Sequence, residues 1–251
     1  MKQFKRNWII EISKELNDII VANIKKEQED LLKLIETSHE IMISQILQTG
    51  KISLVYGDAG TEKFELELGD SPLVDATAAE TVWTGNADKM AFIATQSKKI
   101  AKAGYKADLV IMGSEAGALF ASDEAVKKKL DNRNINMGTM QLLGEEVGGF
   151  TYLGKMEGKD FYTYEAEYAL GAETKPFIDG KNIIITSTMA PWEKHFSKIK
   201  DSREFENPFP TKYFSKSWED ELAGDRMILV ESDSVTACLD MASVVCAKVI
   251  A

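Results

Sequence analysis

The stretch Ala107–Leu130, ADLVIMGSEAGALFASDEAVKKKL, decides the fold, because it places a buried strand, a glycine turn and two short helical segments in succession. Leu109 to Met112 is a short apolar run and predicts an interior strand. Gly113 turns the chain, and a helix is expected to begin near Ser114. The stretch therefore predicts a strand that packs directly against a helix.

Two interpretations fit this strand, turn and helix. In the first, the free amides at the start of the helix bind a phosphate, as in nucleotide-binding enzymes. In the second, the small residues Ala116, Gly117 and Ala118 only bring the helix close to the sheet. The sequence GSEAG at 113–117 matches neither G-x-G-x-x-G nor the P-loop, and its serine is not the centre of a G-x-S-x-G elbow. The rest of the chain favours the second interpretation.

Composition limits the class of protein. The 251 residues, 44% of them hydrophobic, suffice for one large or two small domains. A formal net charge of −10 argues against a folded surface that binds nucleic-acid phosphates tightly. No apolar run reaches the roughly 18 residues of a membrane span, and the start MKQFKRNWII lacks the pattern of a signal peptide. We expect an intracellular, reducing setting.

Residues that commonly carry chemistry are few. Cys238 and Cys246 lie in an apolar segment and are expected to be buried, reduced thiols. The two histidines, His39 and His195, form no metal-ligand pattern with them, and neither has the setting of a catalytic base. No carboxylate pair stands out among 40 acidic residues. The sequence therefore predicts no catalytic, cofactor-binding or metal-binding residues, and no enzymatic activity.

The N-terminal part is dominated by one helix. From Asn17 to Thr49 apolar residues recur at spacings of four and seven, which predicts a long amphipathic helix ended by Gly50. It either lies on the sheet of its own domain, the favoured interpretation, or serves as an oligomerisation helix. His39 falls on its polar flank and is expected at the surface. KISLVY and KFELEL then alternate around GDAG and predict a hairpin with one wet face.

The segments on either side of the central stretch are more varied. Residues 69–85 are expected to form a loop anchored by Trp83, and 87–103 a helix. Ser122 is expected to cap a short helix with Asp123 and Glu124 in its first turn. Residues 131–149 are predicted to be irregular and 188–222 mostly loop with one short helix, while 167–180 is predicted as an extended loop or hairpin tip. Strands are predicted at 150–156, 161–165, 182–187, 226–231, 235–239 and 243–250.

This order of elements predicts a topology. One domain begins in the N-terminal half, is interrupted by an inserted domain and is completed by the C-terminal strands. The strands do not alternate with helices as a doubly wound sheet requires, so the fold class is α+β.

Four stretches in this order resemble the lambda-type major capsid protein E family of tailed bacteriophages and prophages, and together they span most of residues 34–251. The first is a long helix with a short Gly-Lys step into a strand; the second is the central stretch; the third and fourth lead into the closing strands. They are LIETSHEIMISQILQTGKISL, ADLVIMGSEAGALFASDEAVKKKLDNR, FYTYEAEYALGAETKPFIDGKNIIITS and FPTKYFSKSWEDELAGDRMILVESDSV.

The resemblance implies the tailed-phage major capsid fold (Hong Kong 97-like), which herpesvirus shells and encapsulins share. A peripheral domain, residues 24–85 with 211–251, would combine a spine helix at Ile24–Thr49 with a long antiparallel sheet. An inserted axial domain would span residues 86–210, and residues 1–23 would be the remnant of an N-terminal arm. Gly113 and Gly117 would serve close packing, and the loops Glu165–Gly180 and Asn132–Gly149 would contact neighbouring subunits.

The resemblance also implies a function. The chain would be a major capsid (head) subunit of a tailed bacteriophage or prophage that self-assembles into an icosahedral shell enclosing DNA, without binding DNA specifically. Its partners would be other copies of itself in pentamers and hexamers, with scaffold, decoration or portal proteins, and no membrane or cofactor. It would reside in the virion after assembly in the host bacterial cytoplasm.

The N-terminal part departs from the family pattern. Members carry an arm and an extended hairpin loop before the spine helix, and only about 25 residues stand there in this chain. We expect a fragment of a longer subunit or a variant with reduced lateral contacts, and hence monomers or small oligomers. Two other classes remain as alternatives: an α/β nucleotide-binding enzyme that uses the turn after Gly113, and an encapsulin-like compartment shell protein.

Overall fold

The computed structural model describes residues 2–56, 62–78, 81–85, 87–128, 149–170, 173–199, 212–219 and 226–251, with side chains from residue 20 onward except at 54–63. The chain forms two compact units. The first consists of Met1–His39 and Lys194–Val235, and the second of Glu40–Glu193 and Thr236–Ala251. The domain limits implied by the family resemblance remain predictions.

A long helix, α1, runs from Lys2 to Thr49. It begins earlier than the predicted start at Asn17 and ends where expected. Gly50 follows with a φ of 74°, and its amide donates to the carbonyl of Ile46 at 2.8 Å. The prediction of a long helix closed by Gly50 is confirmed.

The segments after α1 begin with a hairpin. Strands β1 (Lys51–Tyr56) and β2 (Glu62–Glu67) pair antiparallel, as predicted. The stretch predicted as a loop contains a short strand, β3 (Leu73–Asp75), and Trp83 is buried as expected. Three residues are too few for a visible alternation, which is why the sequence did not reveal β3.

The central stretch folds as predicted except at one cap. Helix α2 (Lys89–Lys102) precedes strand β4 (Leu109–Met112) and helix α3 (Ser114–Ser122). The predicted cap at Ser122 is wrong, because Ser122 is still helical and donates to the carbonyl of Leu119. Asp123 caps the helical residues 124–128 instead, and its carboxylate accepts the amide of Ala125 at 2.8 Å.

A six-stranded mixed sheet forms the centre of the second unit. Its further strands are β5 (Phe150–Met156), β6 (Lys159–Tyr164), β9 (Asn182–Thr186) and β14 (Val244–Lys248), all predicted. The strand order is β3-β14-β9-β4-β6-β5, with parallel pairs β3/β14 and β4/β6. Every residue of β9 is buried. The sheet is therefore not doubly wound, and the α+β class is confirmed.

The other described strands form two-stranded sheets, of which the β1–β2 hairpin is the first along the chain. β7 (Glu167–Leu170) and β8 (Glu173–Pro176) form the predicted hairpin. β10 (Trp192–Phe196) pairs with β13 (Ser234–Cys238), and β11 (Phe214–Glu219) with β12 (Arg226–Glu231). A 3-10 turn, Met241–Ser243, leads into β14.

The prediction of a mostly loop-like segment at 188–222 is wrong where β10 and β11 form. Their sequences, WEKHF and FSKSWE, mix polar and apolar residues, and five of the eleven side chains are half-buried while the other six are exposed. No helix occurs in residues 188–199 or 212–219. The predicted irregular segment and contact loop at 132–148 lie outside the described residues. Among the helices of the described chain, none is both long and apolar enough to cross a membrane.

The core of the second unit lies between the sheet, α2 and α3. Three aromatic rings form its centre: Trp83 stacks on Phe120 with centroids 6.0 Å apart, and Phe120 stacks on Phe161 at 5.1 Å. Ile183 and Ile185 of β9 belong to the same buried cluster. This core fixes the turn after β4, where the sequence left two interpretations open.

Candidate functional site

The turn after β4 is tightly packed. A Cβ atom added to Gly113 would lie 2.2 Å from the carbonyl oxygen of Asp179, and one added to Gly117 would lie 2.2 Å from Cγ2 of Thr163. Only residues without a side chain fit at these two positions. The expected role in close strand-helix packing is confirmed for Gly117 of α3, which lies against Thr163 of β6, whereas Gly113 packs against the backbone at residues 179–180.

The amides at the start of α3 already have partners. The amide of Ala116 donates to the carbonyl of Gly180 at 2.8 Å, and that of Gly117 donates to the carbonyl of Gly113 at 2.8 Å. Gly180 thus takes up one amide of the first helical turn, and it also lies next to the side chains of Ser114 and Glu115. This geometry favours the structural interpretation of the turn over the nucleotide-binding one.

His39 departs most from its prediction. It is only 5% exposed, so the expectation of a surface histidine is wrong. Its Nε2 lies 2.7 Å from Oγ of Ser234, and its Nδ1 lies 2.5 Å from Nζ of Lys194. Helical periodicity placed His39 on the polar flank of α1, but polar side chains of β10 and β13 cover that flank. The second histidine, His195, is exposed on β10.

The hydrogen bonds define the state of this ring. A lysine ammonium only donates, so Nδ1 of His39 accepts from Lys194 and carries no proton. The proton is on Nε2, which donates to Ser234. The ring is therefore neutral and held in one tautomer between β10 and β13.

A carboxylate and a phenol complete the group, which we call the His39 cluster: Glu36, His39, Lys194, Tyr213 and Ser234. Oε2 of Glu36 lies 3.5 Å from Nδ1 of His39 and 3.7 Å from Nζ of Lys194. The Tyr213 hydroxyl donates to Glu36, which lowers the pKa of the carboxyl and raises the pKa of Tyr213 to about 12. Burial, reinforced by the charge of Lys194, lowers the pKa of His39.

The β11–β12 hairpin exposes one apolar face. Trp218 pairs with Met227, and Leu229 pairs with Lys216, so these side chains lie on the same side of the hairpin. Trp218, Met227 and Leu229 are 40%, 46% and 38% exposed. On the opposite side Ser215 accepts a hydrogen bond of 3.1 Å from Gln28 of α1. We call the side with Trp218, Met227 and Leu229 the outer hairpin face.

A second exposed hairpin lies in the segment predicted to contact neighbouring subunits. Leu170, the last residue of β7, is exposed, and all four residues of β8 are exposed. The hairpin is anchored at its base by Phe177, which is buried and lies 4.9 Å from Tyr168 between ring centroids. The hairpin thus projects polar and apolar side chains from a fixed base.

The remaining candidate groups are structural. Both cysteines are free and buried, as predicted, and burial raises the pKa of the Cys246 thiol to about 12. Within the described residues, no group of three His, Cys, Asp or Glu side chains could hold a metal ion.

Sequence reasoning missed two features that the structure brings together. Lys194, Tyr213 and Ser234 are far from His39 in sequence, and no spacing pattern links them. The outer hairpin face had a signal: alternation in FSKSWE and RMILVE places Trp218, Met227 and Leu229 on alternate positions. Locating them on one face required the register.

Comparison with known proteins gives a consistent picture. The model of the phage major capsid protein E family matches residues 14–249. Among curated proteins, none matches this chain. A solved structure described as a prophage capsid protein from Escherichia coli aligns with a TM-score of 0.71 at 17% identity, over 91% of this chain and 67% of that one.

Two further solved structures align over a similar range. A phage-related protein from Bordetella bronchiseptica has a TM-score of 0.52 at 12% identity, over 89% of this chain and 66% of that one. An encapsulin complex from Synechococcus elongatus has a TM-score of 0.43 at 11% identity, over 89% and 65%. The chain thus spans about two thirds of the length of each structure. The predicted capsid fold is confirmed.

Proposed function

Because this chain belongs to the phage major capsid protein E family, we propose that it associates with copies of itself as pentamers and hexamers and builds an icosahedral shell around phage DNA. Its role as a capsid structural subunit follows from the family. Scaffold, decoration and portal proteins are its further proposed partners, and assembly is proposed to occur in the host bacterial cytoplasm.

The outer hairpin face is the observation that supports this proposal most directly. Contiguous apolar side chains on a surface commonly mark a protein interface. Trp is among the residues enriched where such interfaces are strongest. We propose that another copy of the chain covers Trp218, Met227 and Leu229.

The β7–β8 hairpin is the second proposed contact. It projects exposed residues from a buried base at Phe177, so a neighbouring subunit meets a defined surface there. Its hairpin edges also have unpaired backbone groups among the described strands, since β7 and β8 pair only with each other. Such edges accept an additional strand or a side chain from a neighbour.

The charge of the chain determines how we expect the shell to interact with DNA. The net charge of −10 opposes tight binding of phosphates, so the shell is proposed to enclose DNA without specific contacts. The subunit acts through repeated interfaces and not through catalysis. The hydrogen bond from the amide of Ala116 to Gly180 at the start of α3 supports this structural role.

The test is the mass distribution of the purified chain across a concentration series, by sedimentation velocity with negative-stain imaging of large species. Rings of five or six subunits, the small oligomers expected of this chain alone, are expected to increase with concentration. Trp218→Glu places a charge on the outer hairpin face and is expected to raise the concentration needed for association at least about tenfold, which is about 1.4 kcal/mol.

The matched control is Met189→Glu. Met189 is 76% exposed and lies in a turn, away from both hairpins in sequence, so the same charge is introduced without altering either proposed contact. It is expected to associate like the unaltered chain. A strict monomer at all concentrations would contradict the proposal, and equal effects of both variants would contradict the outer hairpin face as the contact.

A further inference from the structure

We propose that the His39 cluster is a proton-operated latch of the first unit. At neutral pH it fastens α1 to strands β10 and β13, and protonation of His39 releases β10 from the ring. This inference goes beyond shell assembly and does not depend on it, since every group of the cluster lies within one chain.

The hydrogen-bond directions carry the argument. Nδ1 of His39 has one lone pair, and Nζ of Lys194 uses it at 2.5 Å. A proton taken up from solvent occupies that lone pair and turns Nδ1 into a donor. The protonated Nδ1 and the Lys194 ammonium are then two positively charged donors at hydrogen-bond distance. Their repulsion separates the lysine from the ring. The bond from Nε2 to Ser234 survives this change, so Lys194 and β10 are the parts that are released first.

The surrounding charges determine how readily the ring takes up a proton. On α1, Glu36 favours the charged ring, but it is half-exposed and shares its charge with Tyr213 and Lys194. On β10, Lys194 opposes protonation, and Lys212, just before β11, adds to this opposition. On β13, Ser234 is uncharged and lies 3.1 Å from Ser232 between hydroxyl oxygens. Burial and the two lysines outweigh Glu36, and the pKa of His39 is lowered.

The His39 cluster lies where the chain segments of the first unit begin and end. His39 and Lys194 are the residues at which the chain leaves and re-enters the first unit, and Ser234 precedes its last residue, Val235. His39 therefore lies at the end of the first segment of this unit and contacts residues at or next to both ends of the second segment. Protonation removes the contact with Lys194 and keeps the one with Ser234.

The first experiment is an NMR titration of His39. Its Cε1 proton is expected to titrate at a pH below the ordinary value for histidine of about 6.5. Lys194→Met removes the ammonium and keeps an apolar stem of similar length, and it is expected to raise the titration midpoint of His39 towards the ordinary value of about 6.5. An unchanged midpoint in Lys194→Met would overturn the proposed opposition between the two groups.

The second experiment measures release. Hydrogen exchange, corrected for the intrinsic rate at each pH, is followed at the amide of Ser197, which donates to the carbonyl of Asp233 at 2.8 Å and so reports the β10–β13 pairing. The released ring has the ordinary pKa of about 6.5 and the latched ring a lower one. Opening is therefore expected to increase by up to about tenfold for each pH unit between these two values and to level off below the lower one. His39→Gln stays neutral at every pH, and its exchange is expected to lose this dependence.

Two variants keep the test decisive. His195→Gln replaces the other histidine of the chain, which lies outside the His39 cluster, and is expected to exchange like the unaltered chain. Should His39→Gln fail to fold, Lys194→Met serves in its place. Without the ammonium, the protonated ring repels no neighbouring charge, so the pH dependence of exchange is expected to shrink. A pH dependence that persists in both His39→Gln and Lys194→Met would overturn the latch, whatever the oligomeric state of the chain.

Discussion

The core of the second unit and the outer hairpin face of the first unit use similar residues in opposite ways. In the core, Trp83, Phe120 and Phe161 are buried and stacked on one another. On the hairpin, Trp218 and Met227 lie side by side and remain exposed. The first group is covered by its own chain, whereas the second is available to another molecule.

The difference follows from how many layers cover each strand. Strand β4 has neighbours on both edges and is packed against α3, so its side chains are covered by residues of the same unit. The β11–β12 hairpin is a two-stranded sheet with α1 bonded to one side through Gln28. A two-stranded sheet alone is only marginally stable in water. The comparison thus separates residues that stabilise the fold from residues proposed to stabilise an assembly.

The sharpest test of this comparison replaces one aromatic residue of each region by alanine. Phe120→Ala removes the ring between Trp83 and Phe161 and is expected to lower the free energy of unfolding by about 3–5 kcal/mol, because a cavity remains. Trp218→Ala is expected to change it by less than about 1 kcal/mol in the dissociated chain. Urea unfolding at low protein concentration measures both.

The concentration-dependent association of Phe120→Ala and Trp218→Ala is then compared. Trp218→Ala is expected to weaken concentration-dependent association, while any Phe120→Ala chain that remains folded associates normally. A large loss of stability in dissociated Trp218→Ala would mean that the hairpin face supports its own unit, and the contrast between the two regions would disappear.

A smaller loss of stability is expected from adding a methyl group at Gly113, where the end of β4 lies close to residues 179–180. Gly113→Ala is expected to cost about 3 kcal/mol, because the added methyl meets backbone atoms of Asp179 and Gly180, which cannot rotate away. Gly85→Ala is the matched control, since its added methyl would have its nearest neighbour at an ordinary 3.6 Å. Thermal unfolding of the two variants distinguishes them, and equal costs would show that the close approach at Gly113 has no special role.

Local signals explain which elements could be predicted. The spacing of apolar residues gave α1 and its end at Gly50, and the apolar runs gave β4 and β9, because burial on a helix stripe or in an interior strand leaves a periodic pattern. The glycines at 113 and 117 pointed to close packing. The four stretches that resemble capsid protein E located most of the remaining elements in the right order.

Features that depend on distant residues could not be predicted. His39 looked like a surface residue because the pattern of α1 contains no information about β10 and β13, which cover it. Strands β10 and β11 carry so many charged residues that they resembled loops. The outer hairpin face was visible only once the register placed Trp218 opposite Met227.

The smallest predicted effect concerns the Asp123 cap beside the central core. Its carboxylate lies 2.5 Å from Nζ of Lys89, a largely buried side chain, and this hydrogen bond holds the pKa of Asp123 below its ordinary value. Asp123→Asn keeps an oxygen for the amide of Ala125 but leaves the ammonium without its charged partner, so we expect a loss of about 1–2 kcal/mol at neutral pH.

The pH dependence of this loss identifies its cause. Because the pKa of Asp123 is lowered on folding, its contribution is fully present above the unfolded value of about 3.8 and is lost as the pH falls through the folded value. The difference between the unaltered chain and Asp123→Asn is therefore expected to be constant near neutral pH and to shrink below about pH 4, as measured by urea unfolding. A difference that persists undiminished in acid would show that the cap geometry, and not the charge of Asp123, causes the loss of stability. The core and the outer hairpin face would then differ in packing alone.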